Sequence, residues 1–194
     1  MKQIPTRARK PTVYFTSQTI RQISLFTKMA QGEISWMGRV TRRGEFDFFV
    51  DEIFLIKQET TPTKTKFVDD AMAMFLFEYH QAGKDVADLK LWLHTHNDFA
   101  VSWSGQDENN IDGFSRAEYL ISVVTNKFDD FMARIDIFRP IRLTIDAQIV
   151  ILPNFTAEEI HLATLEIEEK VSFTDDSRPD LPALETEQEK DGNS

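Results

Sequence analysis

The chain has no cysteine. That excludes a disulfide framework, a thiolate nucleophile and any metal site built on sulfur. It fits a reducing, cytoplasmic setting. Histidine is also scarce, with four in 194 residues. Long apolar runs are missing too. No stretch approaches the ~18 consecutive apolar residues that a membrane span needs. The first ten residues, Met1 to Lys10, are basic and polar, unlike a secretory signal with its apolar centre. Glycine and proline are few, at seven each, so no low-complexity or collagen-like reading applies.

What is present is a globular composition. Hydrophobic residues make up 41% of the chain, and 16 phenylalanines against three tyrosines point to a core rich in apolar rings. The net charge of −10 is unevenly placed. Residues 154–194 carry 12 acids and three bases, while residues 1–153 carry 20 acids and 19 bases. A nucleic-acid binder shows a basic stripe on its folded part. Here only Lys2, Arg7, Arg9 and Lys10 cluster, in a terminal arm, so nucleic acid is not an expected partner.

Along the chain, Thr12 to Thr16 reads as a first strand. Ser17 is placed to cap a helix whose apolar face is Ile20, Ile23, Leu25, Phe26 and Met29. Glu33 to Val40 and Glu45 to Ile56 read as a hairpin turning at Arg42-Arg43-Gly44. Glu59 to Lys66, Thr-rich and holding Pro62, reads as a surface loop. Asp69 or Asp70 is placed to cap a second helix, Ala71 to Gln81, closed by Gly83. Leu89 to Thr95 is a buried strand, Asn97 to Trp103 a loop, and Ser104 the start of a short helix. Tyr119 to Thr125, Phe131 to Phe138 and Ile141 to Leu152 are further strands, the last two divided at Pro140. Thr156 and Glu159 form a capping-box pattern for a tail helix. The expected layout is a mobile basic arm over 1–11, one catalytic domain over 12–153, a tail helix over 154–171 and an acidic disordered tail over 172–194. The fold class is α/β, a mixed sheet with helices packed on it.

The chemistry gathers at Leu91-Trp-Leu-His-Thr-His-Asn-Asp-Phe-Ala-Val-Ser-Trp-Ser-Gly-Gln-Asp107. A strand directs residues i and i+2 to one face, so His94 and His96 point the same way. Ser104 and Asp107 have a plain structural explanation as a capping box, serine at the N-cap and a carboxylate at N3. That explanation also aims the Asp107 carboxylate at the strand end. Two imidazoles and a carboxylate suit Zn²⁺ with one position left for water. His94, His96 and Asp98 also open a metallo-β-lactamase-type pattern, but Phe99 stands where that pattern needs histidine. Barrel hydrolases need further histidines downstream, and only His161 follows. Zinc deaminases need cysteines.

The spacing H-x-H, seven residues, S, two residues, D, carried by His94, His96, Ser104 and Asp107, resembles the motif of the JAMM (MPN-plus) metalloproteases. These are zinc isopeptidases that remove ubiquitin-like modifiers. The family's upstream glutamate corresponds here to Glu33, in Gln31-Gly-Glu-Ile-Ser-Trp-Met-Gly38. The run Val50 to Gln58 and the Thr-rich segment behind it are also similar, and the likeness spans residues 12–152. It departs at Asn97 and Trp103, where many members have proline.

The resemblance implies an MPN, cytidine-deaminase-like three-layer fold. It implies zinc held by His94, His96 and Asp107. Glu33 would be the general base, and Ser104 would donate a hydrogen bond to the oxyanion. The substrate would be a ubiquitin-like modifier or its conjugate. Its extended C-terminal tail would lie in a groove near 57–68 and 97–103, with Trp36, Trp103 and the loop residues as candidates for lining it and core packing the more usual role for any one of them. Two other readings stay open. One is a metallohydrolase of another peptide or amide, and the other is a non-catalytic interaction module on the same fold. Neither oligomeric state nor a function for the acidic tail follows from the sequence.

Overall fold

A computed structural model describes residues 9–153 and 155–171. The basic arm before Arg9 and the acidic tail from Ser172 lie outside the described residues. The chain divides into two units, Met1–Asn154 and Phe155–Ser194. In the second, Ala157–Lys170 is helical (α4, numbered in chain order), and Thr156 and Glu159 make the reciprocal capping box.

The first unit is a mixed α/β structure. Its strands are β1 (Thr12–Thr16), β2 (Ser35–Arg43), β3 (Asp47–Phe54), β4 (Gln58–Thr61), β5 (Lys64–Phe67), β6 (Leu91–Thr95), β7 (Tyr119–Thr125), β8 (Phe131–Ile137) and β9 (Leu143–Leu152). Its helices are α1 (Ser17–Met29), α2 (Asp69–Gln81) and α3 (Gly105–Gly113). Seven strands run in the order β1-β3-β2-β6-β7-β8-β9. β1 pairs in parallel with both β3 and β9, so the sheet closes into a barrel. An open three-layer sheet is therefore not what these pairings make. Closure leaves none of the seven strands with a free edge.

The two faces of this sheet bury different clusters. Val13, Phe15, Trp36, Leu91, Leu93, Ile121 and Val123 pack with Ile23 of α1 on one face. Met37, Trp92 and Leu120 pack with Tyr79 of α2 and Ile111 of α3 on the other. Trp36 is thus a core residue with no exposed surface, and lines no groove. β6 is covered on both faces and buried throughout. Its alternation sends Leu91 and Leu93 to the α1 face and Trp92 and His94 to the α2–α3 face.

Several sequence expectations are corrected. Thr16, not Ser17, caps α1, its hydroxyl accepting from the Thr19 N–H at 3.1 Å. Leu25 and Met29 are exposed, and Thr27 takes the inward position beside Ile23. The N-cap of α2 is Val68, without a side-chain bond, so Asp69 and Asp70 lie inside the first helical turn. There their carboxylates favour the helix dipole instead of capping it. The strand expected from Glu33 begins at Ser35 and runs through Arg43, with the turn at Gly44, where φ is +78°.

The expected loop over 59–66 is a hairpin of β4 and β5 turning at Pro62 and Thr63. Its threonines are β-formers. The polar character that suggested a loop reflects a small two-stranded sheet with little buried face.

Candidate metal centre

The centre is built where β6 ends and α3 begins. His94 Nε2 lies 3.2 Å from His96 Nε2 and 3.0 Å from Asp107 Oδ1. His96 Nε2 lies 3.4 Å from Asp107 Oδ2. The three side chains are buried, and one ligand atom from each lies within 4.8 Å of the others. Three Lewis-basic atoms facing one another in a buried spot form a donor set that fits a metal ion.

Local structure holds each ligand. The His94 ring stacks on Trp92 at 4.3 Å between centroids and packs against Trp103 at 6.1 Å. His96 is fixed by its backbone N–H, which donates to the Thr125 carbonyl at 2.8 Å. Its Nδ1 faces the Ala100 carbonyl at 3.4 Å. A carbonyl only accepts, so this contact places a proton on Nδ1 and makes Nε2, the nitrogen facing Asp107, the atom that could ligate a metal after losing its own proton. On α3, Asp107 and Ile111 are one turn apart and share the inward face. Ile111, fully buried, seats the helix on the core.

Ser104 is the N-cap of α3, and its capping box with Asp107 is complete. Both the N–H and the hydroxyl of Ser104 donate to Asp107 Oδ2 at 2.7 Å. The hydroxyl is therefore engaged on the metal-facing carboxylate. Ser104 is exposed, at the outer rim of the centre.

Glu33 reaches the centre from the connection before β2. Ser35 pairs with His94 across β2 and β6. Beyond that pair, the Thr95 N–H donates to the Ile34 carbonyl, and the Thr95 hydroxyl accepts from the Ile34 N–H. Continuing the antiparallel register brings Glu33 alongside His96. The β4–β5 hairpin secures the same segment from the other side. The Glu33 N–H donates to the Thr61 carbonyl at 2.9 Å, and the Gln58 amide bonds both the N–H and the carbonyl of Ser35. Gly32 makes this fit, since a Cβ there would meet Thr60 Oγ1 at 2.4 Å and the Thr61 carbonyl at 2.8 Å.

The electrostatics separate the two carboxyl groups. Burial pushes Glu33 up to about 7, against an opposing pull from His96 and with a further push from Asp107. Burial also acts to raise Asp107, but hydrogen bonds from His94, His96 and Ser104 outweigh it and hold the group far below the usual carboxylate range. Burial lowers His94 despite its contact with Asp107. The Asp107 hydrogen bond raises His96 against burial. One acid is thus kept ionised among ligands, and the other is poised near neutrality.

The two loop departures have structural reasons. Asn97 adopts φ of +46°, in the left-handed region that proline cannot enter. Its side chain donates to the Pro62 carbonyl at 2.8 Å, tying the 97–103 loop to the hairpin. Trp103 lies between His94 and Arg134, whose guanidinium sits 4.6 Å from the indole.

A groove of about 1060 Å³ is lined by neighbours of the centre, Ser35, Trp92 and Gln106 among them, but not by Glu33, His94, His96, Ser104 or Asp107 themselves. Its floor includes Trp92 and Met37, and the hairpin forms one wall through Thr60, Thr65 and Phe67. The other wall comes from α2 and α3, not from the 97–103 loop.

Sequence reasoning missed Gln58, Thr61 and Arg134. Arg134 and Asp136, two charges at i and i+2 within an apolar strand, were the available signal for a buried ion pair.

No helix among the described residues is long and apolar enough to cross a membrane. The sequence matches no family model and no curated protein. Among solved structures, the fold is similar to the solution structure of protein DSY2949 from Desulfitobacterium hafniense. The likeness has a TM-score of 0.54 at 10% identity, over 76% of this chain and 97% of that one. At such identity it speaks for the fold alone.

Proposed function

We propose that this chain is a zinc-dependent hydrolase of amide or isopeptide bonds that removes or processes a ubiquitin-like modifier. The observation that carries this reading is the buried convergence of His94, His96 and Asp107 with Glu33 alongside, poised near pH 7. Sheet faces covered by α1 on one side and α2 and α3 on the other support a relationship to the MPN architecture.

His94, His96 and Asp107 would hold the metal through two imidazole nitrogens and one carboxylate oxygen. Bound zinc would supply acidity, lowering the pKa of a water toward ~7. Glu33, outside the ligand set, accepts the proton of the attacking water and delivers it to the leaving amine. A base poised near the working pH is suited to both transfers. Ser104, once its hydroxyl turns from Asp107, donates to the carbonyl oxygen as that oxygen gains charge, a contribution of ~3 kcal/mol in comparable sites.

The groove takes the substrate's extended tail. β5 offers a strand edge on its wall, and an extended chain can add to such an edge through main-chain hydrogen bonds. The 97–103 loop, fastened to the hairpin through Asn97, positions that wall.

The test is incubation of the zinc-reconstituted protein with modifier C-terminal fusions and isopeptide conjugates, with and without chelator. Cleavage abolished by chelation and restored by zinc is expected. A zinc-loaded protein that cleaves none of them would overturn the modifier reading.

A further inference from the structure

Arg134 stands in β8, two residues before Asp136, and both are buried, at 5% and 0% exposure. The Arg134 Nε donates to Asp136 Oδ2 at 2.9 Å. Thr144 donates to the other Asp136 oxygen at 2.7 Å. The two terminal nitrogens of the guanidinium grip both carboxylate oxygens of Glu108, the second at 2.7 Å. The guanidinium also covers the Trp103 ring at 4.6 Å. A buried ion cluster of this kind gains little stability over well-packed apolar residues. Its placement suggests another use.

Glu108 follows Asp107 directly, and Trp103 directly precedes Ser104. Trp103 also packs on the His94 ring. One guanidinium therefore holds the residue before the α3 cap and the residue after the ligand Asp107. Through the indole it also reaches the His94 ring, which stacks on Trp92. We propose that Arg134 is a positioning residue of the metal centre: it fixes the first turn of α3 and the His94 ring so that both ligands face one point before metal arrives. The proposal rests on the zinc reading above. A planar, five-donor fork meets these three contacts together, whereas a lysine ammonium cannot.

The test measures zinc affinity by chelator competition, and the visible bands of the cobalt-substituted protein, on full-length wild type, Arg134→Lys, Glu108→Gln and Asp112→Asn. Asp112→Asn removes the exposed Arg142 ion pair from the same helix and controls for general loosening of α3. Glu108 is half-buried, so Glu108→Gln tests the grip without emptying the core.

Arg134→Lys is expected to lose about tenfold or more in zinc affinity and to shift the cobalt bands, as outer-shell substitutions at metal sites do. Glu108→Gln should move the same way by several-fold, with Asp112→Asn unchanged. Wild-type affinity in Glu108→Gln, or an equal loss in Asp112→Asn, would overturn the proposal. A wild-type chain that binds no zinc would overturn the zinc reading and this inference with it. Zinc-competent wild type with unaffected variants would overturn this inference alone.

Discussion

His94 and His96 stand on and just beyond a strand covered on both faces, while Glu33 stands on a connection held by a surface hairpin. The proposed ligand half is pinned by aromatic stacking, a helix cap and buried ions. The proposed base half depends on the Glu33 N–H bond to the Thr61 carbonyl, the Ile34 bonds to Thr95, the Gln58 amide and the absence of a side chain at Gly32. A ligand set must not move as metal binds, and rigid packing gives that. A proton carrier must be close but not coordinated, and separate anchoring keeps it so. The two halves should therefore fail in different ways.

The largest effect is expected at His94. His94→Ala removes a proposed ligand and a ring that packs on both Trp92 and Trp103, so metal binding and hydrolysis should both vanish. Elemental analysis beside an activity assay checks this. Glu33→Gln should leave metal content unchanged while lowering kcat by roughly 10²–10⁴-fold, the usual value of a positioned general base. If both variants lost metal equally, the division between the halves would collapse.

Asn97→Pro sharpens the comparison at the link between halves. Its ring cannot adopt φ of +46° and its amide to Pro62 is gone, so thermal unfolding should show a loss on the order of 2–3 kcal/mol. Asn97→Gly, which keeps the backbone conformation, should lose less. Gly32→Ala should act on the base half alone. The hairpin must shift to admit the Cβ, moving Glu33, and kcat should fall by about tenfold at unchanged zinc content.

The smallest effect is on stability against pH. Glu33 rises from 4.5 to about 7 on folding. Between those values the folded chain holds more protons than the unfolded chain, so metal-free protein loses stability as pH rises through that window. Glu33→Gln should flatten that slope. His96, also raised, loses its contribution in the same direction, and Glu33 is one cause of that rise, so the difference between the two thermal profiles reports Glu33 together with its coupling to His96.

The halves also differ in how far the sequence revealed them. Alternation along β6 was enough to direct both imidazoles to one side, and the Ser104 and Asp107 spacing was enough for a capped helix start. Glu33, 61 residues before His94, came only through the resemblance, because no local pattern marks a glutamate ahead of a strand as buried. The hairpin that anchors it reads as a loop in sequence because exposed threonines look polar whether or not they pair. Barrel closure was hidden because β1 meets β9 only through tertiary pairing. The Arg134 cluster is not legible in the sequence because charges in a strand usually mark its solvent face, and here Glu108 of α3 and Trp103 cover the guanidinium.

The most direct test of the central claim is the zinc stoichiometry of wild-type and Glu33→Gln protein after reconstitution at neutral pH. About one zinc on each chain is predicted, held by two imidazoles and one carboxylate. No zinc on the wild-type chain would contradict the account.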